Sequence, residues 1–388
     1  MVRKFFTLQS IISVLLFFIQ PFASFVYFLF TFNKLKTYEV LLFICIVFTS
    51  ISFFFVPYAG MDLHSHYLYF SDSKFGFTLF EYSDRYAIIK FLYSITNYFY
   101  LDKRLVQVFC VFLATMFYMK SFLLMLKSDK SENDKLIIFL LFLSFNFLAS
   151  VNGLRSGVSM YALIYFITLY ESKSKLSIFA LSVAIIFHSF ALVVLFTWYI
   201  SRNFDDHRLY KLVLLFCFVA SLLKFSPLDY FASIFLSEPL YNAYFGSGLF
   251  ASTEEFSLAT ILMSKIPWVI IGIYVFVVNK FTLIEKLSIA LLALALLSFE
   301  NVAFSGRCSM YVLSLFPLSL AYRLQRKELW FKYYIELCML FIFTILIQIM
   351  WSFYSYPGVF INMYKGLIGI NVFSLFAFSK FGSGFILR

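Results

Sequence analysis

The stretch "FNFLASVNGLRSGVSMYALIYF" sets Asn152, Arg155, Ser156 and Ser159 in a run that is otherwise apolar. Three, four and seven residues separate the last three from Asn152, so all four are expected on one face of a helix starting near Gly153. An amide, a guanidinium and two hydroxyls at a helix N-terminus suit a phosphate or pyrophosphate, because the free N–H groups and the helix dipole add to the cation. The plainer reading is an arginine reaching from the end of a span toward water.

Three further groups can do chemistry. His188 is the strongly polar residue of "SVAIIFHSFALVVL" and suits a general base or a donor to phosphate, or simply a bond to a nearby carbonyl or to Ser189. Arg307 lies in "FENVAFSGRCSMYVL" with Glu300, Asn301, Ser305 and Tyr311. Glu300 and Arg307 can pair with each other, or Arg307 can join Arg155 in clamping one anionic ligand. "GMDLHSHYLYF" offers Asp62, His64, His66 and Tyr67, a weak metal pattern without a fourth ligand; Asp62 better suits a sugar hydroxyl or an arginine such as Arg85. Glu254 and Glu255 are further acidic candidates for carbohydrate, or ordinary loop charges.

The elements that position these groups are dictated by composition. Hydrophobic residues make up 62% of the 388 and charged residues 13%, with 57 Phe, which makes the chain an all-α polytopic integral membrane protein of about twelve to fourteen crossings. Segments such as "LIIFLLFLSFNFL" are apolar on every face, unlike the alternating strands of a membrane barrel. A single membrane domain over residues 1–388 is expected, with a first outer loop at 57–103 and a second at 224–257, both long, aromatic and suited to interfacial helices. Cys45, Cys110, Cys217, Cys308 and Cys338 show no disulfide framework and no metal spacing, so neither metal nor cofactor is expected.

The net charge of +11 is a topology signal and not a nucleic-acid footprint, because its residues sit in short loops between apolar runs. Lys34 and Lys36, "KSDKSENDK", "ESKSK", "SRNFDDHRLYK", "NKFTLIEK" and "RLQRKELWFK" are all assigned to the cytoplasm. Lys175 and Arg202 then share a side only if the run between them turns back near His188; a single tilted helix is the other reading. Arg3, Lys4, Lys34 and Lys36 raise the same question for the first stretch, which Pro21 interrupts. The first span lacks a small-residue cleavage site and is kept as mature sequence. No Walker sequence, nucleophile elbow or H-E-x-x-H redirects the reading.

The order "MDLHSHY", "NGLRSGVSMYALIYF", "ESKSK", "FHSFALVVL" and "GRCSMYVL" resembles the EpsG/Wzy-type polysaccharide polymerases of bacteria. The pair "NGLRSG…FHSFAL" is the most specific part. The resemblance implies a metal-independent, GT-C-like glycosyltransferase of the inner membrane that joins undecaprenyl-pyrophosphate-linked repeat units into O-antigen or related polysaccharide at its outer face. It implies a pyrophosphate-binding Arg155, a second phosphate ligand in Arg307, support from His188, and Asp62 with Tyr67 near the acceptor sugar. Asn152, Ser156, Arg85, Tyr311 and Glu300 line the substrate in that reading. Donor and acceptor glycolipids, membrane lipid and a chain-length regulator are the implied partners, and nucleic acid is not. The arginine that often precedes the Asp loop is absent from "VPYAGMD", with Arg85 as its possible substitute. The rival readings are a flippase for the same glycolipid, for which no internal repeat is visible, an O-antigen ligase, and a surface-glycan acyltransferase.

Overall fold

The apolar runs of this chain are punctuated, and the punctuation decides where helices end. In a computed structural model the structure describes residues 7–31, 34–55, 57, 62–70, 86–125, 144–170, 175–223, 227, 234, 258–298, 302–326 and 341. Among them the chain is helical and has no strand. It divides into two compact units, one with the described residues up to Ala191 and one with those from Leu192.

The first unit holds α1 (Leu8–Ile19), α2 (Pro21–Thr31), α3 (Thr37–Phe54), α4 (Asp62–Phe70), α5 (Ala87–Tyr98), α6 (Arg104–Met125), α7 (Phe147–Asn152), α8 (Leu154–Tyr170) and α9 (Lys175–Phe187). Pro21 opens α2, where its missing N–H costs nothing, and so ends α1. The two helices fold back on each other: Ser24 Oγ donates to the carbonyl of Ser13 at 2.6 Å. Glu39, in the first turn of α3, closes this end of the unit. It accepts from the N–H of Lys36 at 2.7 Å, the Thr7 hydroxyl at 3.2 Å and the Ser10 hydroxyl at 3.2 Å, and from the Thr7 N–H. Thr7, just before α1, and Lys36, just before α3, are therefore held together by one carboxylate.

The core of this unit is α8, packed on α6, α7 and α9. Its helix is buried almost all round, and an aromatic knot joins it to α6: Tyr118 and Tyr161 rings lie 4.9 Å apart, and Phe145 and Tyr161 5.0 Å. The Tyr161 hydroxyl accepts the N–H of Asn146 at 3.1 Å, and Asn146 Oδ1 caps α7 through the N–H of Ala149.

The second unit holds α10 (Ala191–Asn203, whose first residue belongs to the first unit), α11 (His207–Leu222), α12 (Leu258–Val277), α13 (Leu283–Leu297) and α14 (Val302–Arg326). Its centre is an ion pair. Arg323 Nε and Nη2 donate to the two carboxylate oxygens of Glu285 at 2.6 Å each, and Arg323 also reaches the carbonyl of Lys280. Glu285 is only 1% exposed and further accepts from the Tyr274 hydroxyl at 2.5 Å and the Thr282 N–H at 2.7 Å. Two parallel donor pairs plus neutral donors satisfy a buried carboxylate.

Among the described residues one helix stretch, Arg104–Leu124, is long and apolar enough to cross a membrane; Leu8–Ile19, Tyr38–Phe53, Lys175–Phe187 and Trp268–Val277 are shorter apolar helices. Breaks account for the shortness of Leu8–Ile19 and Lys175–Phe187. The run from Leu176 to Ile200 is cut at His188–Phe190 into two helices of 13 residues, each about 20 Å long.

Candidate functional site at the start of α8

Position 153 is a glycine because the chain turns sharply there. A Cβ on Gly153 would come within 3.2 Å of the Ala149 carbonyl, and one on Gly157 within 2.7 Å of Ser150 Cα. Both glycines let α7 and α8 meet backbone to backbone. This break splits the expected single polar face: Asn152 ends α7, whereas Arg155, Ser156 and Ser159 belong to α8.

Each of the four then finds its own partner. Asn152 Oδ1 accepts the N–H of Leu63 at 3.3 Å, so it caps the first turn of α4 from another part of the chain. The Ser156 hydroxyl donates to the carbonyl of Gly153 at 3.0 Å. Ser159, 1% exposed, donates to the carbonyls of Ala184 at 2.7 Å and His188 at 3.4 Å, which ties α8 to the end of α9. Arg155 is half-buried, and its guanidinium carbon stands 3.9 Å from the centroid of the Tyr86 ring. A guanidinium at this distance over an aromatic ring is attracted to its π-face.

Tyr86 in turn meets His66 edge to face, with ring centroids 5.8 Å apart. His66 is 4% exposed, and its pKa falls from 6.5 to about 4 because burial disfavours the imidazolium and the Arg155 cation adds to that effect. The ring is therefore neutral beside Arg155. The helix that carries it, α4, is pinned at both ends of its buried face. Leu63 is held by Asn152, and the Tyr67 hydroxyl donates to Gln107 Oε1 at 2.6 Å. Gln107, fully buried in α6, passes the load to α3 by donating to the carbonyl of Phe55 at 3.1 Å and to that of Ser52. Lys103 Nζ lies over the Tyr67 ring at 4.7 Å. Along α4, Leu63 and His66 are buried, while Asp62, Leu68 and Tyr69 face outward.

His188 is buried at the break between α9 and α10, where its Nδ1 accepts the N–H of Phe190 at 3.0 Å. A neutral imidazole that accepts at Nδ1 carries its proton on Nε2, which makes Nε2 a donor and not a base. Arg307 and Tyr311, one turn apart on α14, belong to the second unit, where Ser305 Oγ binds the carbonyl of Ala295 at 2.8 Å. Arg85, Glu300, Asn301, Glu254, Glu255 and the second outer loop, save Pro227 and Ile234, lie outside the described residues.

Asp62, His64 and His66 do not form a ligand set, and among the described residues no three His, Cys, Asp or Glu side chains gather as one. Two groups that sequence reasoning passed over are Tyr86 and Gln107. Neither carries charge, and only their placement against Arg155 and Tyr67 reveals them. The side chains brought together at this site are thus Asn152, Arg155, Tyr86, His66 and, through α4, Tyr67 and Gln107. Compared with protein-family models, curated proteins and solved structures, the chain matches none of them.

Proposed function

We propose that this chain is a polytopic membrane glycosyltransferase that polymerises undecaprenyl-pyrophosphate-linked oligosaccharide repeat units at the outer face of a bacterial inner membrane. The observation that carries the reading is Arg155, held over Tyr86 in the first turn of α8, since a guanidinium and a helix N-terminus each favour an anion. A pyrophosphate leaving group needs charge neutralisation more than covalent chemistry, which such a seat can supply. The neutral Nε2–H donor inferred for His188 is assigned a supporting contact to phosphate.

A lipid-embedded chain is supported by the outward faces of the helices. On α11, Leu212, Leu215, Phe216, Val219 and Leu222 are exposed while Leu214, Cys217 and Ala220 are buried, so both faces are apolar. Exposed patches of this kind seek lipid or a partner. The interior meanwhile holds Ser24, Gln107 and Ser159, polar side chains that bond from one helix to another as they do between helices packed in lipid.

The test is deletion of the coding sequence in its host, complementation with variants, and electrophoresis of surface glycan. Deletion is expected to leave a single repeat unit on its lipid anchor without a ladder. Loss of all surface repeats would instead indicate a flippase or ligase. Arg155→Ala is expected to abolish the ladder, with a rate loss of about 100-fold or more, as for removal of one charge-stabilising donor; Arg155→Lys keeps the charge but not the fork and falls between. A normal ladder from Arg155→Ala would overturn the assignment.

A further inference from the structure

A guanidinium on a long flexible side chain binds a phosphate well only if its plane is fixed before the ligand arrives. Arg155 has such a support. The Tyr86 ring lies under it at 3.9 Å, and the ring is itself braced by the His66 edge at 5.8 Å. His66 cannot swing away, because α4 is held by Asn152 at Leu63 and by Gln107 at Tyr67. Four helices thereby converge on the orientation of one cation: α3 and α6 through Gln107, α7 through Asn152, and α4 through His66.

We propose that Tyr86, braced by His66, is the positioning residue for Arg155, setting the plane in which the guanidinium meets the pyrophosphate of the lipid-linked substrate. This rests on the reading of Arg155 as a pyrophosphate ligand and adds the groups that make it one. Tyr86 supplies a π-face and not its hydroxyl, so the role depends on ring shape. A diphosphate carries more charge and more acceptor oxygens than a monophosphate, so it gains more from a cation fixed in advance.

The experiment uses the full chain in nanodiscs of phosphatidylethanolamine and phosphatidylglycerol, with undecaprenyl pyrophosphate as probe and undecaprenyl phosphate as comparison. Binding is titrated for wild type, Tyr86→Phe, Tyr86→Trp, Tyr86→Leu, Arg155→Ala and Tyr86→Leu/Arg155→Ala. Tyr86→Leu is expected to weaken pyrophosphate binding about 3- to 30-fold, the range of a cation–π contact, and to narrow the preference over monophosphate. Tyr86→Phe and Tyr86→Trp are expected to stay within about 2-fold of wild type, and the double variant to bind no worse than Arg155→Ala. Tyr86→Gln, flat but without a π-face, replaces Tyr86→Leu in the cycle if the latter elutes as aggregate. Wild-type binding by Tyr86→Leu alongside lost binding by Arg155→Ala would overturn the positioning role and leave the pyrophosphate reading standing. So would additive losses in the double variant. Wild-type binding by Arg155→Ala would overturn that reading and the positioning role with it.

Discussion

His188 shows how one ring can carry two duties on its two nitrogens. Nδ1 takes the N–H of Phe190 and so shapes the break between α9 and α10, while Nε2 carries the proton. The duties separate by substitution, because an asparagine oxygen replaces Nδ1 and a glutamine amide replaces Nε2. His188→Asn is expected to keep the melting temperature within a few degrees while lowering polymerising activity about 10- to 100-fold. His188→Gln is expected to lower the melting temperature. A fully active His188→Asn would assign the residue to the turn alone. The sequence made His188 visible, since a lone imidazole in "SVAIIFHSFALVVL" has few reasons to be there. It could not say which nitrogen faces where, because that depends on a backbone N–H two residues on. Tyr86 was not visible for the opposite reason: among 27 tyrosines nothing in its spacing separates a platform from a core ring.

At the scale of elements, the start of α8 near Gly153 was legible, and the break near His188 was one of two readings that the basic residues at either end of the run, Lys175 and Arg202, left open. The partnership of α4 with Asn152 was not legible, since 89 residues separate the bonded atoms. Nor was the Glu285–Arg323 pair, whose members stand in stretches that read as basic loops. Two glycines test how closely the elements are packed. A methyl group on Gly157 would lie 2.7 Å from Ser150 Cα, and backbone cannot move aside cheaply, whereas one on Gly306 would meet nothing within 4 Å. Gly157→Ala is therefore expected to destabilise by about 1 to 3 kcal/mol. Gly306→Ala, in the interior of α14, is expected to be neutral or to stabilise by up to about 1 kcal/mol. Thermal unfolding of both purified variants in one detergent checks the contrast.

At the scale of the whole molecule, composition reads the all-helical architecture but overstates how long the helices are. Gln20–Pro21 and His188–Phe190 cut apolar runs into helices of 11 to 13 residues, too short for a hydrocarbon layer of about 30 Å. The fold-back of α2 on α1, with Thr7 and Lys36 joined at Glu39, brings the two ends of the pair to one side, as the proposed embedding in a bilayer needs. Embedding of this kind predicts that alkaline carbonate leaves the chain in the membrane pellet and that only detergent extracts it. Release of the intact chain by carbonate would refute integral embedding.

The Glu285–Arg323 pair also carries information about time. The two residues stand 38 positions apart, so during synthesis the carboxylate leaves the ribosome well before its guanidinium. In that interval Tyr274 and Thr282, both already made, are the donors within reach, and they are among the groups that hold Glu285 in the finished fold. The acid is thus provided with neutral donors first and a counter-charge last.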